Sequence, residues 1–403
     1  MSRQKKSTNR SKDRKNTRGN LTPVLLLLVL IMGSFGVMGG GLVAPGLPAI
    51  GEAFSAPEEQ LGLILSVYTI SAAISLPVIG YFIDTLGRRK VALICLIIDG
   101  IAGLGSIIAP NFAILLIWRF FQGIGVAGLI PVAMTIISDC FEGENRLQKM
   151  GLLTGTISIG AVVIPSLGGF LAAINWRLVF SVYGLSLILA LIFFGKLPET
   201  SSNLKRLEIN ELSKHLSSLL NTLQIRDIRV VLFQSFAAYF FLYAMVTFLP
   251  VFIHQYHGLG EIVAGLSLST QGLVGAAFAT KANFFARYLE WQQRTALGFF
   301  LLAVSLILLP FWPQESYFIL ISMVIYGAGT GIINPTIYNR VTNLPPREIA
   351  GSVISLFNTM KYIGMSAAPV LLGLLLIYAT IPIVFIITGL LAIFWAGSVI
   401  IIG

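Results

Sequence analysis

Apolar residues run along this chain in twelve blocks, near 23–43, 60–83, 91–109, 112–137, 150–173, 178–196, 229–253, 262–286, 295–311, 316–338, 349–377 and 381–402. A helix that crosses a bilayer takes about 20 apolar residues, and the blocks are of that order. Polar residues collect in the short links between them. The pattern predicts an all-α membrane protein of twelve transmembrane helices in two six-helix bundles. Residues 1–20 form a basic tail, 21–197 the first bundle, 198–227 a linker and 228–403 the second bundle. Within the linker, Lys205, Arg206, Glu208, Glu211 and Lys214 alternate with Leu204, Leu207, Leu212, Leu216 and Leu219. That spacing suits an amphipathic connector lying on the membrane surface.

Composition agrees. The chain is 56% hydrophobic and 11% charged, where a soluble protein of this length carries about 25% charged residues. The net charge of +10 is unevenly placed: eight Lys or Arg residues lie in the first twenty positions. No aromatic residues interleave these cations, so the tail is read as a cytoplasmic extension near anionic lipid headgroups, with no nucleic-acid partner. Twelve crossings leave both termini on one side. If that side is the cytoplasm of a cell with a plasma (inner) membrane, Arg88 to Lys90, Arg146, Lys149, Arg287, Arg294, Arg340 and Arg347 all lie inside. The opposite links hold Glu52, Glu58, Glu59, Glu261 and Glu315, with Arg177 as their strong cation. This asymmetry follows the positive-inside rule. Cys95 and Cys140 are read as packing residues, and His215, His254 and His257 show no metal-ligand spacing. No metal or cofactor is expected.

The two halves share a register. Gly123, Gly125 and Pro131 in the fourth block match Gly327, Gly329 and Pro335 in the tenth. Gly160, Pro165 and Gly169 in the fifth match Gly364, Pro369 and Gly373 in the eleventh. All six pairs are 204 residues apart. A duplication of this kind places a binding site at the interface of the halves and lets them rock about it.

Three motifs carry chemistry. The link Gly80-Tyr-Phe-Ile-Asp84-Thr-Leu-Gly87-Arg88-Arg89-Lys90 joins the second and third blocks. Its glycines allow a sharp turn or close approach, and Asp84 can pair with Arg88 or cap a helix. In the fourth block, Arg119-Phe120-Phe121-Gln122-Gly123-Ile124-Gly125 puts a cation about 10 Å inside an apolar helix, a costly placement that marks either a functional residue or an Arg hydrogen-bonded to helix carbonyls for structural reasons. In the fifth, Gly151, Gly160, Pro165, Gly168 and Gly169 are spaced for close helix contact around a proline bend.

The first of these resembles the signature loop of the major facilitator superfamily, G-x-x-x-D-x-x-G-R-R/K. The second resembles the superfamily's R-x-x-Q-G-x-G motif, whose Arg is implicated in proton transfer. The third is similar to its antiporter motif, G-x8-G-x3-G-P-x2-G-G, with Ile164 replacing the glycine before the proline. Pro45-Gly46-Leu47-Pro48, read as closing the first span, Asn175-Trp176-Arg177 and Leu197-Pro198-Glu199-Thr200 agree with it. The resemblance is to the twelve-span drug:proton antiporters. It implies a secondary transporter that exports small amphiphilic compounds in exchange for protons. It further implies that Asp84 and Arg88 stabilise the outward-facing state by locking the cytoplasmic ends of the halves together. A dedicated exporter or facilitator of one metabolite or siderophore on the same fold is the alternative.

Proton coupling needs an embedded group that titrates. Asp99, about 12 Å inside the third block, is the acid clearly within the bilayer. It either carries the proton, alongside Arg119, or serves to pair with Arg119 or face a neighbouring helix. Asp84 is the other candidate. Lys361 lies roughly 18 Å inside the eleventh block and can meet an anionic substrate or a carboxylate. Gln122, Tyr239 and Tyr243 are candidate cavity residues, with Phe120, Phe121, Phe240 and Phe241 as further aromatic candidates. The chain shows no Ser/His or His/Asp cluster within its apolar blocks and no G-x-x-x-x-G-K-[ST] loop, which argues against an enzyme or an ATP-driven pump. Its expected partners are a small-molecule substrate, protons and the lipid bilayer, with the chain acting as a monomer.

Overall fold

The computed structural model describes residues 21–201, 222–312, 316–345 and 349–402. The basic tail and the linker residues carrying the amphipathic pattern lie outside these. Among the described residues twelve helices are long and apolar enough to span a membrane. They are α1 (Pro23–Phe54), α2 (Glu58–Leu86), α3 (Arg88–Ile107), α4 (Phe112–Cys140), α5 (Gly143–Ile174) and α6 (Trp176–Lys196). The second half follows with α7 (Arg226–His257), α8 (Glu261–Thr280), α9 (Trp291–Phe311), α10 (Tyr317–Asn343), α11 (Val353–Leu376) and α12 (Ile381–Ile401).

Some boundaries differ from those read in the apolar pattern: α5 starts at Gly143, ahead of its block, and α7 runs to His257. Pro45-Gly46-Leu47-Pro48 does not close α1. Ala44–Gly46 forms a single 3-10 turn, and Pro48 stands in the first turn of a further helix, Leu47–Phe54, where its missing N–H would have had no partner. The eighth block splits at Lys281, after which a short separate helix, Ala282–Tyr288, runs to the next link.

Each half is held by the same set of helix contacts. In the first, α2 packs on α4, α4 on α3, α3 on α6 and α1 on α5. In the second, α8 packs on α10, α10 on α9, α9 on α12 and α7 on α11. The glycine pairs show why. Gly123 lies against the Tyr68 carbonyl of α2, and Gly327 against the Gln271 carbonyl of α8. Gly125 abuts the Cys95–Asp99 backbone of α3, and Gly329 the Gly298 carbonyl of α9. A methyl group at any of the four would overlap its neighbour's backbone, so residue size sets these helix separations. The sequence register at 204 is therefore a register of packing.

The halves meet along α5–α8 and α2–α11. Gly169 faces the Glu261 carbonyl and Pro165 faces Gly265; at the symmetric place Gly373 faces the Glu59 carbonyl and Pro369 faces Gly62. Ser166 Oγ donates to Ser269 Oγ at 2.7 Å, and Ser66 Oγ donates to the Ser366 carbonyl at 3.0 Å. Beyond them Glu52 pairs with His254 at 3.2 Å, and Gln255 donates to Glu58. All these contacts lie toward the ends carrying the acidic links. Toward the basic ends, Gly80 on α2 and Gly151 and Gly155 on α5 have nothing within 4 Å of where a side chain would begin. The molecule is a V, sealed at the acidic end and open at the basic end.

Candidate functional site

The signature loop is a polar knot at the open end. Gly87 turns the chain with φ 93° and ψ 159°, a conformation that favours glycine, and α3 begins at the next residue. The Glu199 carboxylate caps that helix, accepting from the backbone N–H groups of Arg88 at 3.0 Å and Arg89 at 3.2 Å. Arg88 Nε donates to Asp139 at the end of α4 at 2.9 Å, and its Nη1 lies 3.7 Å from Asp84. Nη1 also donates to the Ile83 carbonyl and to Ser201 Oγ, while Arg89 donates to the Phe194 carbonyl. These partners belong to the first half or, for Glu199 and Ser201, to the start of the linker that follows it. Among the described residues the ion pairs of Asp84 and Arg88 do not involve the second half.

Arg119 is fully enclosed in the first half. Its Nε donates to the Ile64 carbonyl at 3.1 Å, Nη1 to Gln122 Oε1 at 2.5 Å and Nη2 to the Gly39 carbonyl at 2.7 Å. The guanidinium also lies 4.3 Å over the ring of Tyr68. All of these acceptors are neutral. Of the alternatives read for Asp99, a direct ion pair with Arg119 is not formed; Asp99 faces a neighbouring helix, accepting from Ser186 Oγ of α6 at 2.6 Å. The third helix sits between α4 and α6, so its acid is enclosed by the bundle and does not line the cleft. Gln122 is likewise fully buried; it joins the Arg119 cluster and is not a cleft residue. Asp99 Oδ1, Gln122 Nε2, Tyr68 Oη and Tyr183 Oη are buried and make no hydrogen bond, which leaves this interior with several polar atoms to satisfy.

Three consecutive glycines in α1 tie this cluster to the rest of the molecule. A side chain at Gly39 would overlap the Tyr68 ring, one at Gly40 would meet the Tyr243 hydroxyl of α7, and one at Gly41 would touch Ile164 and Pro165 of α5. The helix loses its regular ladder just after, at Leu42–Val43, and Gly39 offers its carbonyl to Arg119. Gly41 also accounts for the departure at Ile164, whose extra bulk fills the space opposite a residue with no side chain. Along α5, Gly160 packs on Ser34 and Val37, Gly168 on the Leu42 carbonyl and Gly169 on α8. Gly151, the first glycine of that motif, faces open space.

In the cleft, Lys361 of α11 is partly exposed. Its Nζ lies 5.0 Å from the centre of the Tyr239 ring and 5.7 Å from that of Tyr362. Tyr239 Oη and Tyr338 Oη are 3.2 Å apart. Tyr239 and Tyr243 are mostly buried, while Tyr338 is 43% exposed. Phe120 and Phe121 are exposed on α4, turned away from the face that carries Arg119. Phe240 and Phe241 are buried among helices of the second half, Phe240 stacked on Phe236 and Phe241 edge-on to Phe299.

Several partners have no signal in the sequence. Asp139 and Ser186 look like ordinary helix residues, and only the fold brings them to Arg88 and Asp99. Tyr362 could have been found as the aromatic neighbour of an embedded lysine.

The sequence model described as Major Facilitator Superfamily matches residues 29–369. Among characterised proteins the chain is 26% identical to the Bacillibactin exporter of Bacillus subtilis (strain 168), over 82% of this chain and 85% of that one. It is 27% identical to the Quinolone resistance protein NorA of Staphylococcus aureus, over 81% and 84%. Among solved structures it is similar to a bacterial homologue of the human lysosomal transporter Spinster in an inward-facing, occupied conformation, with a TM-score of 0.76 at 17% identity over 95% of this chain and 97% of that one. It is also similar to a D-xylose-proton symporter, with a TM-score of 0.76 at 16% identity over 93% and 96%. With twelve spans in two like bundles and a family match from the first span into the eleventh, the chain belongs to the major facilitator superfamily.

Proposed function

We propose that this protein is a proton-coupled exporter of small amphiphilic compounds, acting as a monomer in the plasma membrane with both termini in the cytoplasm. The observation that carries this reading is the V between the halves, sealed at one end and open at the other, with an embedded charge cluster at the hinge helices. The positive-inside rule turns the open end toward the cytoplasm. Gly80, Gly151 and Gly155 are then the bare surfaces against which the second half closes when the mouth shuts.

Coupling runs through the glycine triplet. Arg119 holds the Gly39 carbonyl, and the next residue abuts Tyr243 of the second half, so a change in the charge cluster shifts the contact between halves. Asp99 is the group proposed to take up and release the proton. It acts through Gln122, which faces it and bonds Arg119. A reversible change at this cluster biases a two-state equilibrium only as far as the two states differ in its energy. The similarity to NorA supports drug efflux; the similarity to the Bacillibactin exporter supports a dedicated exporter of one siderophore or metabolite.

The test is efflux of the neutral dye N-phenyl-1-naphthylamine and a panel of amphiphiles from cells expressing the protein, with and without an uncoupler. Gradient-dependent efflux of several unrelated compounds is expected. Uncoupler-insensitive movement rejects proton coupling, and movement of one compound alone selects the dedicated exporter.

A further inference from the structure

Lys361 stands at the point of the V. On α11 it comes five residues before Ser366, whose carbonyl accepts from Ser66 at the seal between halves. At about 1.5 Å per residue that is about 7–8 Å on the open side of the seal. It is also eleven residues from the start of its helix at Ala350, about 16 Å into the membrane on the same rise, so its ammonium cannot snorkel to the surface. A strong charge at this depth is kept only for a partner. Among the described residues no carboxylate lies within ion-pair distance of it, and its neighbours are the rings of Tyr239 and Tyr362.

The rest of the cleft offers no negative charge either. Every acid on α1, α2, α4, α5, α7, α8, α10 and α11 lies at or near a helix end, and the one embedded acid, Asp99, is enclosed on α3 and bonded to Ser186. The second embedded cation, Arg119, is enclosed in the first half and does not face the cleft. Its hydrogen bonds go to two backbone carbonyls and an amide of the first half. The point of the V therefore carries the charge of Lys361 and tyrosine rings beside it, with no counter-ion among the described residues.

We propose that the preferred cargo is an organic anion: a carboxylate, sulfonate or phenolate on a flat apolar body, its charge held by Lys361 and its body against Tyr239, Tyr338 and Tyr362. This inference rests on the exporter reading for its biological meaning, but its test is a binding measurement that does not need transport. The purified full-length protein is titrated with three probes. They are 8-anilinonaphthalene-1-sulfonate, the same ring system without the sulfonate (N-phenyl-1-naphthylamine), and the cation ethidium. The saturable component of binding is read for each.

Wild type is expected to bind the sulfonate at least tenfold more tightly than its neutral counterpart. Lys361→Met should lose that tenfold while keeping neutral-dye binding within threefold, which also shows that the variant is folded. Lys361→Arg should retain the preference for the anion, and Lys361→Glu should reverse it toward ethidium. Equal binding of sulfonate and neutral dye by wild type, or sulfonate binding untouched by Lys361→Met, overturns the proposal. Failure of every dye to leave cells, with the binding preference intact, instead rejects the exporter reading and leaves the anion site standing.

Discussion

The two halves of this molecule share a packing plan and differ in their charges. Moving 204 residues along the chain takes Gly123 to Gly327 and Pro165 to Pro369, and each pair makes the same kind of contact. The same step takes Arg119 to Met323, Asp99 to Ala303, Asp84 to Tyr288 and Asp139 to Asn343, and the reverse step takes Lys361 to Ile157. The glycines and prolines of this register are thus present twice, and these charged groups are present once. Size is needed wherever two helices cross. A buried cation is needed only where something responds to it, because every extra copy would cost desolvation. Under the proposed function, rocking rests on the repeated residues and coupling on the unrepeated ones.

The largest effect is expected where charge is unrepeated and most enclosed. Arg119→Met leaves the Ile64 and Gly39 carbonyls and Gln122 without their donor, at about 1–3 kcal/mol for each buried group left unpaired. Transport should fall by two orders of magnitude or more, and thermal stability of the purified protein should fall with it. Arg119→Lys should also fail, since an ammonium lacks the planar fork that reaches three acceptors on three helices. Restoration of transport in Arg119→Met by the second change Met323→Arg would show the halves to be chemically interchangeable, and would break the comparison.

Asp99→Asn comes next and separates coupling from binding. The amide keeps a hydrogen-bonding contact with Ser186 but can no longer gain or lose a proton in the working range. Gradient-driven efflux should drop by at least an order of magnitude, while dye binding to the purified protein stays within about threefold. Substrate-induced proton release in unbuffered detergent solution is the direct readout. Release that persists in Asp99→Asn moves the proton site to Asp84, which is half-exposed at the open end.

A third pair of changes tests the repeated residues. Gly169→Val and Gly373→Val each push a side chain into a carbonyl across the seal, and overpacking of this kind costs about 1–3 kcal/mol. The two should lose stability and transport to similar extents, since their contacts are equivalent. Gly151→Val meets nothing in this state, so its stability should change by no more than about 0.5 kcal/mol. Its transport should still fall, because that face of α5 must close against the second half. Full transport by Gly151→Val would mean that the basic ends do not come together there.

How far the chain could be read before its fold was known follows the same division. Repeated features were legible: block lengths gave twelve spans, and glycine and proline spacing gave the register that proved to be one of packing. Unrepeated features were legible as residues but not as partners. Arg119, Asp99 and Lys361 stand out because charge is rare in apolar runs, yet nothing in their spacing says that Arg119 bonds carbonyls of α1 and α2, or that Asp99 turns to Ser186 on α6. Those choices depend on how helices rotate about their axes, which one-dimensional hydropathy does not encode. The extension of α1 beyond Pro45 was missed for a related reason: a proline ends a helix only when its N–H position lies within a regular ladder, and here the ladder had already given way.

The smallest effects are expected at the two loops that occupy equivalent places at the open end. In the first half, Arg88 is gripped by Asp139, Asp84 and Ser201, and Glu199 caps the helix that follows. In the second, the helix start is held by a capping box between Glu290 and Gln293, and Arg340 lies 3.6 Å over the ring of Trp291. At the equivalent helix start an ion network in the first half has a counterpart in a cap and a stacked cation, though not at matching positions. Charge-assisted hydrogen bonds contribute about 1.5–3 kcal/mol and a partly exposed cation–π contact about 0.5–1 kcal/mol. Arg88→Ala should therefore lower thermal stability more than Trp291→Ala. The two should also respond differently to salt. Raising ionic strength screens the half-exposed Arg88–Asp84 pair most, the more buried Arg88–Asp139 pair less and stacking least, so the gap between the variants should narrow in part in high salt. A gap that stays constant from low to high salt would show that the first-half loop is held by its caps and packing rather than by its charges, and the contrast between the two loops would lose its physical basis.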